Sequence, residues 1–277
     1  MQIFRTALVA ILAAGILGAT PATGTLSPQK TLARIRAVFR SHRPPAPYVT
    51  YTLVRAQQAA NGYPDYPNSY TYHLWCRTSD NACLGRKVFR EDARGPLEFL
   101  QPVFNEDVDP GPPTADLFQK ARVRRQAGEP SPTPAPSPPL AVIGSVTALG
   151  ETEYNVTSMA IEGELLHVSV VPRRDVDRNR LREIWVDKHT YELKKIVATD
   201  KLFVLHDKVY PVAFTITMGE HRGRPVVTDI HGVVGGGYDD DGAIVDYHFE
   251  NIIFPVSLPS WYFNPRDYAT YASQSPE

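Results

Sequence analysis

The stretch VSVVPRRDVDRNRLREIWVDKHTYELKKI, residues 168–196, decides the fold. Apolar and polar residues alternate on both sides of its charged tip, with Val168 and Val170 before the tip and Ile184 and Val186 after it. A period of two places these four side chains on one face of a sheet. The connections are short, and short connections favour antiparallel neighbours, because a parallel crossover needs a dozen or more residues. The stretch therefore predicts neighbouring antiparallel strands.

The charged tip of this stretch has two interpretations, a binding or catalytic site and a solvated corner of the sheet. Its charged members are Arg173, Arg174, Asp175, Asp177, Arg178 and Arg180. Neighbouring arginines favour ionised carboxylates, whereas a general acid needs a raised carboxyl pKa. We interpret the tip as a solvated corner, and contact with anionic headgroups or a partner is the alternative.

Strand-like runs separated by turn residues continue over the second half of the chain. An earlier alternating run places Val49, Tyr51 and Leu53 on one face of a further strand. The predicted strands of the second half are residues 155–161, 164–171, 181–186, 192–198, 201–205, 212–218, 226–234 and 244–253. With so many strands the sheet must twist and curl.

One amphipathic helix precedes the sheet. Ser27 and Pro28 are typical of a helix start, and Pro44 ends the pattern. The apolar residues at helical spacing are Leu32, Ile35, Val38 and Phe39. Thr114 is a candidate cap for a second, short helix through Leu117, Phe118 and Ala121. The predicted fold class is mainly β (α+β), an open antiparallel half-barrel sheet covered by one to three helices.

The composition of the first residues predicts the compartment of the protein. Residues 1–24 combine Arg5, a short apolar run and small residues, which is typical of a cleaved signal peptide. We therefore expect a periplasmic or extracellular protein whose single domain spans residues 25–277. A Pro-rich insertion at about residues 128–140 is either a semi-rigid spacer or a disordered segment.

The chain contains two cysteines, Cys76 and Cys83, on either side of the turn-forming sequence RTSDNA. Both neighbouring runs are strand-like, so the cysteines lie at the base of a hairpin. In an oxidising compartment this arrangement predicts a disulfide bond. Two cysteines at this spacing make neither a zinc site nor a CxxC redox motif.

Charge and motifs argue against several functional classes. The net charge is -1 with both signs interspersed, so no nucleic-acid partner is expected. The acidic loop at residues 235–242 has an alternative interpretation as a calcium site, but it lacks the alternating ligands of an EF-hand, and we favour a solvated hairpin. No G-x-S-x-G elbow or helical zinc signature is present. We therefore expect no catalytic residues, no metal, no cofactor and no enzymatic activity.

Four segments resemble the lipoprotein carrier and outer-membrane lipoprotein-sorting (LolA/LolB-like) superfamily. They are LLHVSVVPRRD at 165–175, LREIWVDKHTYELKKIVATD at 181–200, YPVAFTITMG at 210–219 and YHFENIIFPVSLP at 247–259. The resemblance implies an open half-barrel covered by helices, with a hydrophobic cavity for acyl chains.

The sequence thus predicts a monomeric, non-enzymatic protein that binds a lipid or an acylated protein on the concave face of the sheet, with possible peripheral contact to the cell envelope. The alternative is an envelope interaction or sensor module whose pocket is filled by its own side chains. The predicted ligand-binding residues are Val49, Tyr51, Leu53, Ile184, Val186, Phe214, Ile216, Met218, Tyr247 and Phe249.

Overall fold

A computed structural model of the chain describes residues 26–42, 46–59, 69–79, 82–87, 100–101, 111–118, 154–174, 176, 179–204, 208–234 and 243–271. The expected signal peptide, the Pro-rich insertion and the acidic loop at 235–242 lie outside these residues. The elements in chain order are α1 Pro28–Ser41, β1 Tyr48–Ala59, β2 Tyr70–Arg77, β3 Ala82–Lys87, β4 Leu100–Gln101, β5 Tyr154–Glu162, β6 Leu165–Pro172, β7 Leu181–Asp187, β8 Leu193–Val204, β9 Lys208–His221, β10 Arg224–Val234, β11 Ala243–Ile253, a 3₁₀ helix Ser260–Phe263 and α2 Pro265–Tyr271.

The strands of the described residues form one antiparallel sheet in the order β4-β3-β2-β1-β11-β10-β9-β8-β7-β6-β5. Strands β5 to β11 follow one another as a meander, and β1 joins the meander by pairing with β11. The order begins at β4 and ends at β5, so the described sheet is open. This confirms the predicted half-barrel class.

Register places apolar side chains in rows across the sheet. Ile184 lies opposite Ile196, which lies opposite Ile216, and the row continues through Ile230 to Tyr247. All five side chains are buried in one core. We call this core-facing side of the sheet the inner face, and it corresponds to the side that the sequence analysis calls concave. We call the opposite side the outer face.

Helix α1 covers part of the inner face. It begins with Pro28 in its first turn, where the missing N–H costs no helical hydrogen bond. Its buried apolar residues Leu32, Ile35 and Phe39 belong to the same core as the inner face. The helix therefore buries one apolar stripe, as the periodicity predicted. Arg34 is exposed, whereas Arg36 and Arg40 are partly buried.

The outer face has a smaller core of its own, at β2 and β3. Trp75 points to this side and is stacked on Tyr268 of α2 at 4.7 Å between ring centroids. The Trp75 Nε1–H donates a 2.6 Å hydrogen bond to the carbonyl of Tyr262. Leu84 completes the buried set. The aromatic residues after the last strand therefore pack against the sheet, and aromatic side chains commonly dominate such cores.

The predicted disulfide is confirmed. Cys76 and Cys83 are directly opposite each other on β2 and β3, and a bond joins them. Both are buried in the inner core, where the Tyr51 hydroxyl lies 3.9 Å from Cys76 Sγ. The bridge closes the hairpin from the core side.

Two element predictions need correction. Residues 192–198 and 201–205 were expected as separate strands, but β8 runs continuously through them because Asp200 and Lys201 pair with β9. Thr114 caps no helix in the described segment 111–118, which consists of turns. There the Asp116 carboxylate accepts the Phe118 N–H at 3.0 Å, a local bond that competes with helix formation.

Candidate functional site

The ten predicted ligand-binding residues lie together on the inner face. Three are on β1, two on β7, three on β9 and two on β11. All ten belong to the single inner core, and each is at most 8% exposed. The structure therefore brings the predicted set together but leaves almost none of its surface open to solvent.

A short irregular segment, residues 111–118, covers the inner face beside α1, and we call it the cover segment. Its Leu117 and Phe118 are fully buried in the inner core. The Phe118 ring meets Phe39 edge-on at 5.6 Å between centroids, and the Arg36 guanidinium lies 5.7 Å from the same ring. Sequence reasoning found both apolar residues but assigned them to a helix rather than to the core.

Polar contacts also attach the cover segment. Arg40 of α1 forms a 3.1 Å ion pair with Asp116 and donates a 3.5 Å hydrogen bond to the Phe118 carbonyl. The Val227 N–H of β10 donates to the Pro113 carbonyl at 2.8 Å. Polar contacts thus tie the segment to α1 and β10, and apolar packing adds to them.

A cavity of about 280 Å³ opens where α1 ends, and we call it the helix-end cavity. It reaches the inner face at Met218, which is a predicted ligand-binding residue. Its lining mixes apolar and charged side chains: Val38, Phe39, His42, Glu192, Leu193, Lys194, Met218, Gly219, Glu220, Gly223 and Pro225. Sequence patterns gave no signal for this grouping, because it joins a helix end, the β9–β10 hairpin and the start of β8.

Two polar side chains are buried on β1 within the apolar inner face. Arg55 donates a 2.7 Å hydrogen bond to Gln57 Oε1, and its guanidinium lies over the rings of Tyr70 and Tyr247 at 5.4 and 5.6 Å. Cation–π contacts of this kind lower the cost of burying the charge. Tyr247, predicted as a ligand contact, is therefore also a partner of Arg55.

The charged corner is only partly solvated. Arg173 and Arg174 are exposed as expected, but Asn179 and Arg180 are 4% and 6% exposed. Asn179 Nδ2 donates to the Arg174 carbonyl at 2.8 Å, and the Arg180 carbonyl accepts the Thr199 N–H at 2.9 Å. The corner therefore folds back on β8. Asp175, Asp177 and Arg178 lie outside the described residues.

Beside this corner, Tyr154 of β5 is buried in the inner core. Burial raises the pKa of its hydroxyl, while the hydrogen bond from the Leu181 N–H and the nearby Arg182 act in the opposite direction. The hydroxyl is neutral at physiological pH and serves as an acceptor that fixes the start of β7.

The outer face carries an interlocked polar cluster on β5 to β8. The Trp185 indole is stacked on His167 at 4.2 Å, and Lys195 Nζ lies 3.8 Å from the indole ring. Both ring nitrogens of His167 contact carboxylates, Glu162 at 2.7 Å and Glu183 at 2.8 Å. Hydrogen bonds from Trp185 and His167 lower the pKa of Glu162.

The described residues contain no candidate metal site. No group of three or more His, Cys, Asp or Glu side chains there is placed to hold a metal ion. Within the same residues, no helix is both long and apolar enough to cross a membrane. The geometry of the site is that of an apolar face under a helix and the cover segment, with a cavity at its margin.

No protein-family model matches the chain, and no curated protein matches its sequence. Similar solved structures include a LolA superfamily protein from Nitrosomonas europaea, at 10% identity and a TM-score of 0.37. Others are an outer membrane lipoprotein-sorting protein domain from Vibrio parahaemolyticus (11%, 0.44) and a DUF1329 family protein from Desulfovibrio piger (11%, 0.37). Each alignment covers 87% of this chain and 98% of the other. At these identities and TM-scores, the likenesses carry no inference about the role of this chain.

Proposed function

We propose that the chain is a non-enzymatic protein of the periplasm or cell exterior that binds a lipophilic ligand, or the acyl chain of a partner, on its inner face. The observation that supports this most is the helix-end cavity, because it leads from solvent to Met218 and the buried row behind it. Burial of apolar surface drives such binding at about 25 cal/mol per Å² before ordering costs.

The cavity accepts only a small part of a lipid as it stands. At about 280 Å³ it is at the lower edge of the range of roughly 300 to 1,000 Å³ typical of ligand pockets. A longer chain therefore has to displace side chains of the cover segment. Leu117 and Phe118 are the candidates, since they occupy the inner face next to Phe39.

The ligand would then pass from Met218 to Phe214 and Ile216, which follow it inward along β9. All three are in the predicted set and in the inner core. Aliphatic walls discriminate weakly between apolar chains, because one methylene changes binding by only about 1 to 3 kcal/mol. We therefore expect tolerance for chain length.

Two measurements test the proposal. Organic extracts of the native protein should contain lipid by mass spectrometry, and a neutral apolar fluorophore such as N-phenylnaphthylamine should gain fluorescence with the protein. Met218→Trp fills the helix-end cavity and should weaken dye binding about tenfold, since bulk replaces the space that the dye needs. Met159→Trp makes the same change on β5, away from the cavity lining, and should not. Absence of lipid together with no dye response contradicts the proposal.

A second function, an envelope interaction or sensor module with a self-filled pocket, is favoured by one observation. The ten predicted residues are buried under the protein's own side chains. In that case the inner face is an ordinary core, and neither dye nor lipid enters it even when Phe118 is shortened. The same dye titration on Phe118→Ala therefore separates the two functions.

A further inference from the structure

Building on the proposed function, we infer that the helix-end cavity takes a lipid amphiphile whose polar end carries an ammonium group. Apolar residues form the inner part of the cavity, among them Phe39, Leu193 and Met218. Charged residues stand at its mouth. A ligand with its chain inside and a cationic end outside matches both parts.

The mouth has an excess of negative charge. Lys194 Nζ pairs with Glu192 Oε2 at 3.2 Å, so these two charges offset each other. Glu220 also lines the cavity and forms no ion pair or hydrogen bond within the described part of the chain. Its exposed carboxylate is therefore available to a ligand cation.

Strand geometry directs Glu220 to the cavity side. Met218, two residues earlier on β9, faces the inner core, and residues two apart on a strand share a face. Pro225, the partner of Glu220 across the β9–β10 pair, also lines the cavity. The carboxylate thus stands above the apolar wall rather than on the outer face.

The end of α1 adds to this negative potential. His42 follows the helix, and its N–H donates to the Val38 carbonyl at 3.2 Å. The carbonyl end of a helix carries a partial negative charge and favours cations within its last turn. The helix end and Glu220 therefore act in the same direction on a bound headgroup.

Nearby cations are engaged or directed elsewhere. Arg40 pairs with Asp116. Arg224 lies over the Phe254 ring at 4.5 Å, and its partner across the strand pair is His221, so both are on the opposite side of the hairpin from Glu220. Arg222 is exposed in the turn itself and does not line the cavity.

The test compares three amphiphiles with one tail: dodecylammonium, dodecanol and dodecanoate, each below its micelle concentration. Affinities are measured by displacement of N-phenylnaphthylamine at low salt. We expect the order ammonium, alcohol, carboxylate, with steps of about threefold to fivefold, the size of an exposed charge contact. The step between ammonium and alcohol should shrink at high salt.

Substitutions at Glu220 test whether the mouth of the helix-end cavity causes the preference for an ammonium headgroup. Glu220→Gln should reduce the ammonium preference, the ratio of dodecylammonium to dodecanol affinity, about threefold, and Glu220→Lys should reverse the preference. Glu250→Gln removes the same charge from an exposed position of β11 outside the cavity lining and is the matched control. Its ammonium preference should equal that of the native chain.

The outcomes separate this inference from the proposed function. Equal binding of all three amphiphiles, or an equal effect of Glu220→Gln and Glu250→Gln, overturns the ammonium inference and leaves lipid binding intact. Binding of none of the three contradicts the proposed function as well. An ammonium preference that Glu220→Gln alone reduces supports the inference.

Discussion

The two faces of the sheet are covered in different ways. On the outer face, Trp75 is stacked on Tyr268, meets Tyr262 edge-on at 5.5 Å and donates its indole N–H to the Tyr262 carbonyl. On the inner face, the cover segment contributes Leu117 and Phe118, and a cavity opens next to its aromatic partner Phe39. The outer cover is a cluster of aromatic side chains, whereas the inner cover is α1 and a short segment beside an opening.

This difference indicates which cover is structural and which is related to binding. Removing a side chain from the outer core should cost stability and create no binding site. Removing one from the inner cover should cost less stability and extend an existing cavity.

Trp75→Ala should have the largest effect. The substitution removes a fully buried indole together with its stacking contact and its hydrogen bond. We therefore expect the free energy of unfolding to fall by about 4 kcal/mol. Urea denaturation measures the loss. Trp261→Ala, which removes a partly buried indole from the same region, should cost less than half as much. A gain of dye binding in Trp75→Ala would contradict the contrast between the faces.

Phe118→Ala should cost less, about 3 kcal/mol, at the lower end of the range for buried aromatic residues, because the segment around it can relax. It should also increase the affinity for N-phenylnaphthylamine about threefold or more, since it enlarges the space beside Phe39. Val256→Ala, at an 89% exposed position, is the control and should change neither quantity. Unchanged dye affinity in Phe118→Ala would favour the self-filled module.

The double variant Cys76→Ala with Cys83→Ala should lower the free energy of unfolding by roughly 2 to 3 kcal/mol. The bridge joins opposite residues of one hairpin, so the closed loop is short. Chemical denaturation of the oxidised native chain and of the variant gives the difference. Dye affinity should stay the same, because neither cysteine lines the helix-end cavity. A parallel loss of binding would place the ligand near the hairpin instead.

These contrasts also show which features the sequence could predict. Period-two alternation identified the inner-face residues, such as Ile184 and Ile216, because a half-buried sheet imposes that period on every strand. The turn sequence between Cys76 and Cys83 likewise predicted the bridge. Both signals are local, and both appear in the structure where they were expected.

Features that depend on distant residues were not predictable in this way. The cover segment was expected to be a helix, but Phe118 packs on Phe39 and Asp116 pairs with Arg40, contacts that span more than 75 residues. Burial of Arg180 is a similar case, since its carbonyl is held by Thr199 of β8. The helix-end cavity joins three separate elements, and no pattern within one of them reports it.

Lowering the pH should produce the smallest effect on stability, and this effect should arise at Glu162 on the outer face. The pKa of Glu162 is lowered by its hydrogen bonds from Trp185 and His167. A lowered pKa means that its contribution to stability is present above the pKa of the unfolded chain and is lost as pH falls through the folded value. We expect the Trp185 fluorescence to change in that acid range, and the change to be absent in Glu162→Gln. Dye binding on the inner face should be unaffected by this titration.

The most direct test of the central claim locates an acyl chain on the molecule. An octadecanol that carries a nitroxide along its chain is added to protein with labelled methyl groups, and methyl NMR signals are recorded. We expect the signals of Leu193, Met218 and Ile216 to broaden first, while those of Val233 and Val256, which are exposed, keep their intensity. Broadening of the exposed methyls with intact signals from the inner face would contradict ligand binding at this site.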